Sequence, residues 1–196
     1  MIFSSIEFLI FFIAFITLIK IFKNHQKQII IFSSLFFYAY WNPIFIFLII
    51  YLCSATYLLI KKKINIKFSF LIILLPLFYF KYSFFVFSFI PIDFLNYFSY
   101  KGELPLAISF ITFTAVAILI DIRNRTFNNN LTFINFSEFI LYFPQLIAGP
   151  ILRAKELIPQ LKNKIFFKSE NIKYGIFLFS IGFVKKIFFA DNIALL

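Results

Sequence analysis

The chain has 196 residues, 62% of them hydrophobic and 14% charged, and carries a net charge of +11. Water-soluble domains average about 45–50% apolar and about 25% charged residues, so a soluble fold is excluded and an integral membrane protein is indicated. The basic residues lie in short loops between apolar runs, which is the pattern of cytoplasmic membrane loops and not of a nucleic-acid surface. One cysteine and one histidine supply neither an internal disulfide nor a metal-ligand cluster.

The first apolar run covers residues 2–19, interrupted only by Glu7. No positive residue precedes it and no small-residue cleavage site follows it, so it reads as a retained anchor and not a signal peptide. Lys20, Lys23 and Lys27 follow and assign the next loop to the cytoplasm. His25 sits among them. Without an acidic partner or an apolar pocket nearby in the sequence, it reads as a solvated loop histidine and not as a base.

Residues 29–60 are too long for one span, since about 48 Å of helix would face a hydrocarbon core of about 30 Å. Asn42-Pro43 divides the run, and Tyr38, Tyr40 and Trp41 crowd the division like an interfacial belt. The expectation is a membrane-embedded hairpin returning to Lys61, Lys62 and Lys63, against the alternative of one long, kinked and tilted helix. Cys53, alone in this run, reads as a small buried hydrophobe.

Residues 68–90 cross outward, with Pro76 and Lys81 as irregularities; Lys81 must snorkel or face a cavity, because a charge facing lipid there is costly. The loop 91–103 holds Asp93, Lys101 and Glu103 and suits the outer face. Residues 104–120 return, with Ser109, Thr112 and Thr114 placed to pack on a neighbouring helix, and Asp121, Arg123 and Arg125 end the span.

Residues 142–161 read YFPQLIAGPILRAKELIPQL, and the chain is organised around them. Pro144 lacks an amide hydrogen, and in a continuous helix its ring meets the carbonyl of Ile140. Pro150 repeats the fault and pushes Gly149 out of the helical region. The helix must break here beside the amide of Gln145, and such a break survives only inside protein or along a wet cavity. Arg123 and Arg125 precede the stretch, while Arg153, Lys155, Lys162, Lys164, Lys168 and Lys173 follow it. Both flanks want the cytoplasm, so residues 131–150 are predicted to be re-entrant. In the last segment only about eleven apolar residues precede Lys185-Lys186, too few to span, so these lysines face a cavity, the surface or a carboxylate, of which Asp191 is one candidate. Gly175 and Gly182, two turns apart, would permit close helix contact. The fold class is therefore an all-α integral membrane protein, with multi-pass helices and a re-entrant, proline-broken segment, in a single membrane domain over residues 1–196.

The FPQLIAGPI run, followed by Arg153 and closed by Pro159-Gln160-Leu161, resembles the signature of the membrane-bound O-acyltransferases. The branch it resembles contains the alginate and peptidoglycan O-acetyltransferases and the D-alanyl transfer proteins. SLFFYAYWNP at 34–43, FKY at 80–82, PLAISFITF at 105–113 and KKIFFADNIA at 185–194 appear in the family's order. The family pattern of Asp, hydrophobic, Tyr and Arg is altered to Asp121, Ile122, Arg123 and Asn124, and Ala107 stands where the family favours glycine.

The resemblance implies an O-acetyltransferase of the cell inner membrane that modifies a cell-surface or exported polysaccharide. Acetyl-CoA is the implied acyl donor, with no bound cofactor, and an exported transferase is an implied partner beside the lipid bilayer. Removing a hydroxyl proton needs a base, for which histidine suits neutral pH. In the family that histidine lies in the later half. The chain is thus expected to be the N-terminal part of a larger acyltransferase core, stopping before the base and completed by a missing half or companion chain. No catalytic residue is assigned. Gln145 and Arg153 are the candidate contacts to the donor or to the missing half, while Pro144, Gly149, Pro150, Pro159 and Gln160 form the structural motif. Two other readings remain: a transporter or channel, since broken helices also build transport sites, and an inactive fragment or half of a split enzyme.

Overall fold

The computed structural model describes residues 5–89, 100–127, 131–146, 153–163, 165 and 167–193. The apolar runs among these residues fold as helices, and none forms a strand, as follows where lipid offers backbone groups no partner. Two helical stretches, Pro43–Lys61 and Ile66–Ser88, are long and apolar enough to cross a bilayer. The chain is an all-α membrane protein. It gathers into two units, Met1–Ile29 with Lys164–Leu196, and Ile30–Asn163.

In the first unit, α1 (Ile6–Ile21) starts at Ser5, whose hydroxyl accepts the amide of Phe8 at 3.2 Å. Phe12 stacks on Phe179 of α10 (Ser169–Val184), with ring centroids 6.5 Å apart. A π-helical turn over Lys185–Ala190 then leads to α11 (Asp191–Ile193). The expected pairing appears at Lys186, whose ammonium lies 3.3 Å from Asp191 Oδ2. Both partners are exposed, so the pair fixes little stability. A Cβ placed on Gly175 or Gly182 would meet open space, so neither glycine is used for close contact among the described residues.

α2 (Gln26–Trp41) leads from the first unit into the second and stops at Asn42, whose side chain caps a short 3₁₀ turn, Pro43–Phe45, by accepting the amide of Ile44. Proline fits this first turn because its missing N–H would have had no helical partner there. The run expected to divide at Asn42-Pro43 therefore does so, and α3 (Ile46–Lys61) begins beyond it. Tyr40 and Trp41 are exposed, as a belt requires, but Tyr38 is buried at 1% exposure and belongs to the core.

α3 is the central helix of the second unit and packs against α4 (Ile66–Leu77), α6 (Ile108–Arg123) and α7 (Phe133–Leu141). Buried Ile108, Ile111, Thr112, Ala115, Ile118 and Leu119 recur at helical spacing and give α6 its inner face. The buried Thr112 hydroxyl donates back to the Ile108 carbonyl, so it enters the core without an orphaned group. Cys53 is buried as expected, and its thiol reaches the Ser137 hydroxyl at 3.4 Å, joining α3 to α7.

Pro76 does not end its helix. The path continues through a π-helical segment, Phe78–Tyr82, into α5 (Ser83–Ser88). Lys81 lies in that segment and donates to Ser109 Oγ at 3.4 Å on the first turn of α6, with its ammonium 5.6 Å from the Tyr82 ring centre. At the opposite end of α6, the Arg123 guanidinium donates to the Ile64 carbonyl just beyond α3. The basic loop at Lys61–63 and the basic end of α6 thus share one end of this unit, as the charge pattern requires.

Ala107 precedes α6 with φ 54° and ψ 20°, in the left-handed region where a Cβ costs about 1 kcal/mol. A glycine, which the resembled family favours here, would adopt this conformation without that cost. Ala107→Gly is expected to stabilise the folded chain by about 0.5–1 kcal/mol, read as a higher unfolding midpoint in detergent. A lower midpoint would show that the strain is not real.

Candidate functional site

α7 begins at Thr132, whose hydroxyl accepts the amide of Asn135, and runs to Leu141. Tyr142, at φ −56° and ψ 102°, takes the chain out of the helix. A four-residue turn, α8 (Phe143–Leu146), follows. The break therefore falls two residues before Pro144. That placement puts the proline in the first turn of a new helix, where its missing donor costs nothing and its ring meets no carbonyl.

The break separates two groups that a continuous helix would pair, the Phe139 carbonyl and the Phe143 amide. Each finds a side chain instead. The Gln145 amide group donates to the Phe139 carbonyl at 2.9 Å, and the Phe143 amide donates to Ser34 Oγ on α2 at 3.2 Å. Ser34 in turn donates to the Ile30 carbonyl at 2.7 Å. Phe143 also packs on Phe37, one turn along α2, with ring centroids 5.5 Å apart. Two side chains thus repair the opened backbone, which keeps a broken helix tolerable away from water.

Gln145 is the sequence candidate whose setting the structure defines most fully. Its Nε2 is committed to the repair, and its Oε1 is buried with no donor among the described residues. Pro144 is exposed beside it. Gly149 and Pro150 lie outside the described residues. Arg153 is exposed at the start of α9 (Ala154–Lys162), where its carbonyl accepts the amides of Glu156 and Leu157. Its side chain makes no capping bond. Among the described residues no contact joins Arg153 to Gln145.

α9 packs against α7, so after the break the chain comes back to the helix by which it entered. Ala154, Leu157 and Ile158 form its buried face, while Lys155, Glu156 and Gln160 are exposed. Pro159 lies inside α9, which continues to Lys162. The Gln160 side chain donates to the Glu156 carbonyl at 3.0 Å in that turn.

The sequence reading passed over Glu138. It lies in α7 one turn before Tyr142 and is only 1% exposed. An acidic residue in an apolar run is itself a functional signal, and it was legible at Glu138. Ser34 gave no such signal, because its partner is 109 positions away. His25 is exposed, as its loop position suggested.

With this geometry in view, the similarities to known proteins become informative. The chain is 33% identical over 205 aligned positions to the peptidoglycan O-acetyltransferase of Helicobacter pylori, covering 86% of this chain and 39% of the relative. It is 39% identical over 93 positions to the probable alginate O-acetylase AlgI of Pseudomonas aeruginosa, covering 47% of this chain and 18% of that protein. The corresponding protein of Pseudomonas putida is 37% identical over 91 positions, 46% of this chain and 19% of the relative. Over the parts aligned, the chain is similar to O-acetyltransferases, in agreement with its resemblance to the membrane-bound O-acyltransferases. It spans about two fifths of the length of the Helicobacter relative and under a fifth of the Pseudomonas ones. No family model matches the chain, and no solved structure matches it.

Removing the Ser34 hydroxyl leaves the Phe143 amide unsatisfied, so Ser34→Ala is expected to cost about 1–3 kcal/mol of stability. Gln145→Leu removes the donor to Phe139 and is expected to cost a similar amount. Amide hydrogen exchange over 139–146, measured in lipid nanodiscs, should accelerate in both. Unchanged exchange in both would show that these bonds do not hold the break.

Proposed function

We propose that this chain is the N-terminal part of the membrane core of an O-acetyltransferase that modifies a cell-envelope or exported polysaccharide. The observation that carries the reading is the 33% identity to a peptidoglycan O-acetyltransferase, which extends through 86% of the chain and so includes the proline-broken stretch. The alginate O-acetylases named among the other relatives also concern a polysaccharide.

On this reading residues 1–196 form one multi-pass domain of the inner membrane, with residues 131–150 re-entrant from the cytoplasmic side. The acyl donor is acetyl-CoA, reaching the site from the cytoplasm. The transfer forms an ester between the acetyl carbonyl carbon and an acceptor hydroxyl oxygen, expels the CoA thiolate, and needs a base for the hydroxyl proton. His25, exposed and in a basic loop, does not suit that task, so the base is supplied by chain outside these residues, on a continuation or a companion. An exported transferase passes the acetyl group onward. Gln145 Oε1 and Arg153 are the polar contacts this part contributes, the first as an acceptor at the break and the second as a cation beside the returning helix.

Arg153→Ala tests this reading without disturbing the fold, because the side chain is exposed and caps nothing. With the complete gene expressed in its host, the variant is expected to lower base-labile acetate on envelope polysaccharide by about a hundredfold at unchanged protein level in the membrane. Arg153→Lys, which keeps the charge, should recover part of it. Wild-type acetate in Arg153→Ala would remove Arg153 from the site. Failure of gene deletion to change polysaccharide acetate would overturn the proposed function itself.

A further inference from the structure

Where α1 ends, the first unit contains a cavity of about 590 Å³. Lys20, Lys23 and Lys168 line it, together with Asn24 and Gln26. Its wall is built firmly. Gln26 is buried, and its side-chain amide donates to the Ile165 carbonyl at 3.1 Å while accepting the Ile165 amide at 2.9 Å. This paired bond holds the segment before α10 against the start of α2. Among the described residues no carboxylate lines the cavity, and Lys20, Lys23 and Lys168 form no ion pair. Three ammonium groups gathered without a counter-charge set up a positive potential that draws an anion. Ile19, Ile165 and Phe167 complete the lining, so the cavity offers apolar as well as cationic groups.

We propose that this cavity binds the phosphate of an anionic phospholipid head group. The lysines meet the phosphodiester and the apolar wall meets the start of an acyl chain. The location suits this occupant, because the cavity opens at the end of an apolar helix in a loop that the charge pattern assigns to the cytoplasmic face. Basic pockets beside membrane helices on that face hold anionic head groups. A soluble phosphate would use the cations but not the apolar wall. The site is independent of the acyl-transfer reading, since it uses neither Gln145 nor Arg153.

The test is lipid retention by the 196-residue chain, purified from nanodiscs containing phosphatidylglycerol and phosphatidylcholine and measured by native mass spectrometry. The wild type is expected to retain phosphatidylglycerol preferentially. Lys20→Gln with Lys23→Gln and Lys168→Gln is expected to lower that retention at least about tenfold, and Lys23→Gln alone, in an exposed turn, about fivefold. The control triple Lys61→Gln, Lys62→Gln and Lys67→Gln, which removes equal charge elsewhere, should retain the lipid. Equal loss in the two triples would reduce the effect to general attraction and overturn the proposal, as would full retention in the single and triple cavity variants. Displacement of the lipid by millimolar inorganic pyrophosphate would assign the cavity to a soluble phosphate instead and overturn the lipid assignment.

Discussion

The second unit depends on how a helix can be interrupted where water is not at hand. An opened turn leaves a carbonyl and an amide without each other, and in hydrocarbon each costs several kcal/mol. Here the Phe139 carbonyl is met by Gln145 and the Phe143 amide by Ser34. One repair is local, six positions along the chain, and the other reaches across to α2. The second therefore does more than satisfy an amide. It fixes the depth at which α2 and the end of α7 meet, and the packing of Phe37 on Phe143 seals the same junction. Once the break is held, α9 can return against α7, and the polar Oε1 of Gln145 is left at a defined place beside it.

Several other polar groups of this unit have defined partners. Thr112 satisfies itself within its own helix, Cys53 joins Ser137, Lys81 reaches Ser109, and Arg123 closes on the Ile64 carbonyl. In an apolar chain these contacts fix which helix faces which, because apolar packing alone discriminates weakly between neighbours in lipid. Lys81 and Arg123 anchor opposite ends of α6, so this helix is pinned along its length.

Much of this was legible in the sequence, for identifiable reasons. Proline chemistry is local, so Pro144 announced a break and Asn42-Pro43 a division, and both occur within two residues of the prolines. Charge follows the membrane faces, so the shared end of the Lys61–63 loop and Arg123 could be anticipated. What could not be read is set by long-range packing. Nothing near Ser34 marks it as the partner of an amide 109 residues away, and nothing near Tyr38 marks it as buried while Tyr40 and Trp41 are exposed. Pro159 does not end its helix, because a proline on the exposed side of an amphipathic helix can be carried through, so α9 runs on to Lys162. Glu138 was visible as a charge in an apolar run, and only its burial shows how fully protein encloses it.

The most direct test of this account is the side of the membrane reached on either flank of the break. In a Cys53→Ser background, Arg125→Cys and Lys155→Cys would be labelled in sealed vesicles with a membrane-impermeant maleimide, from each face in turn. Both original side chains are exposed, so both replacements should be reachable. The account predicts that both react only from the cytoplasmic face, as required if the broken helix enters and leaves on one side. Reaction of the two positions from opposite faces would mean that the stretch crosses the bilayer, and the re-entrant site built around Gln145 would have to be abandoned.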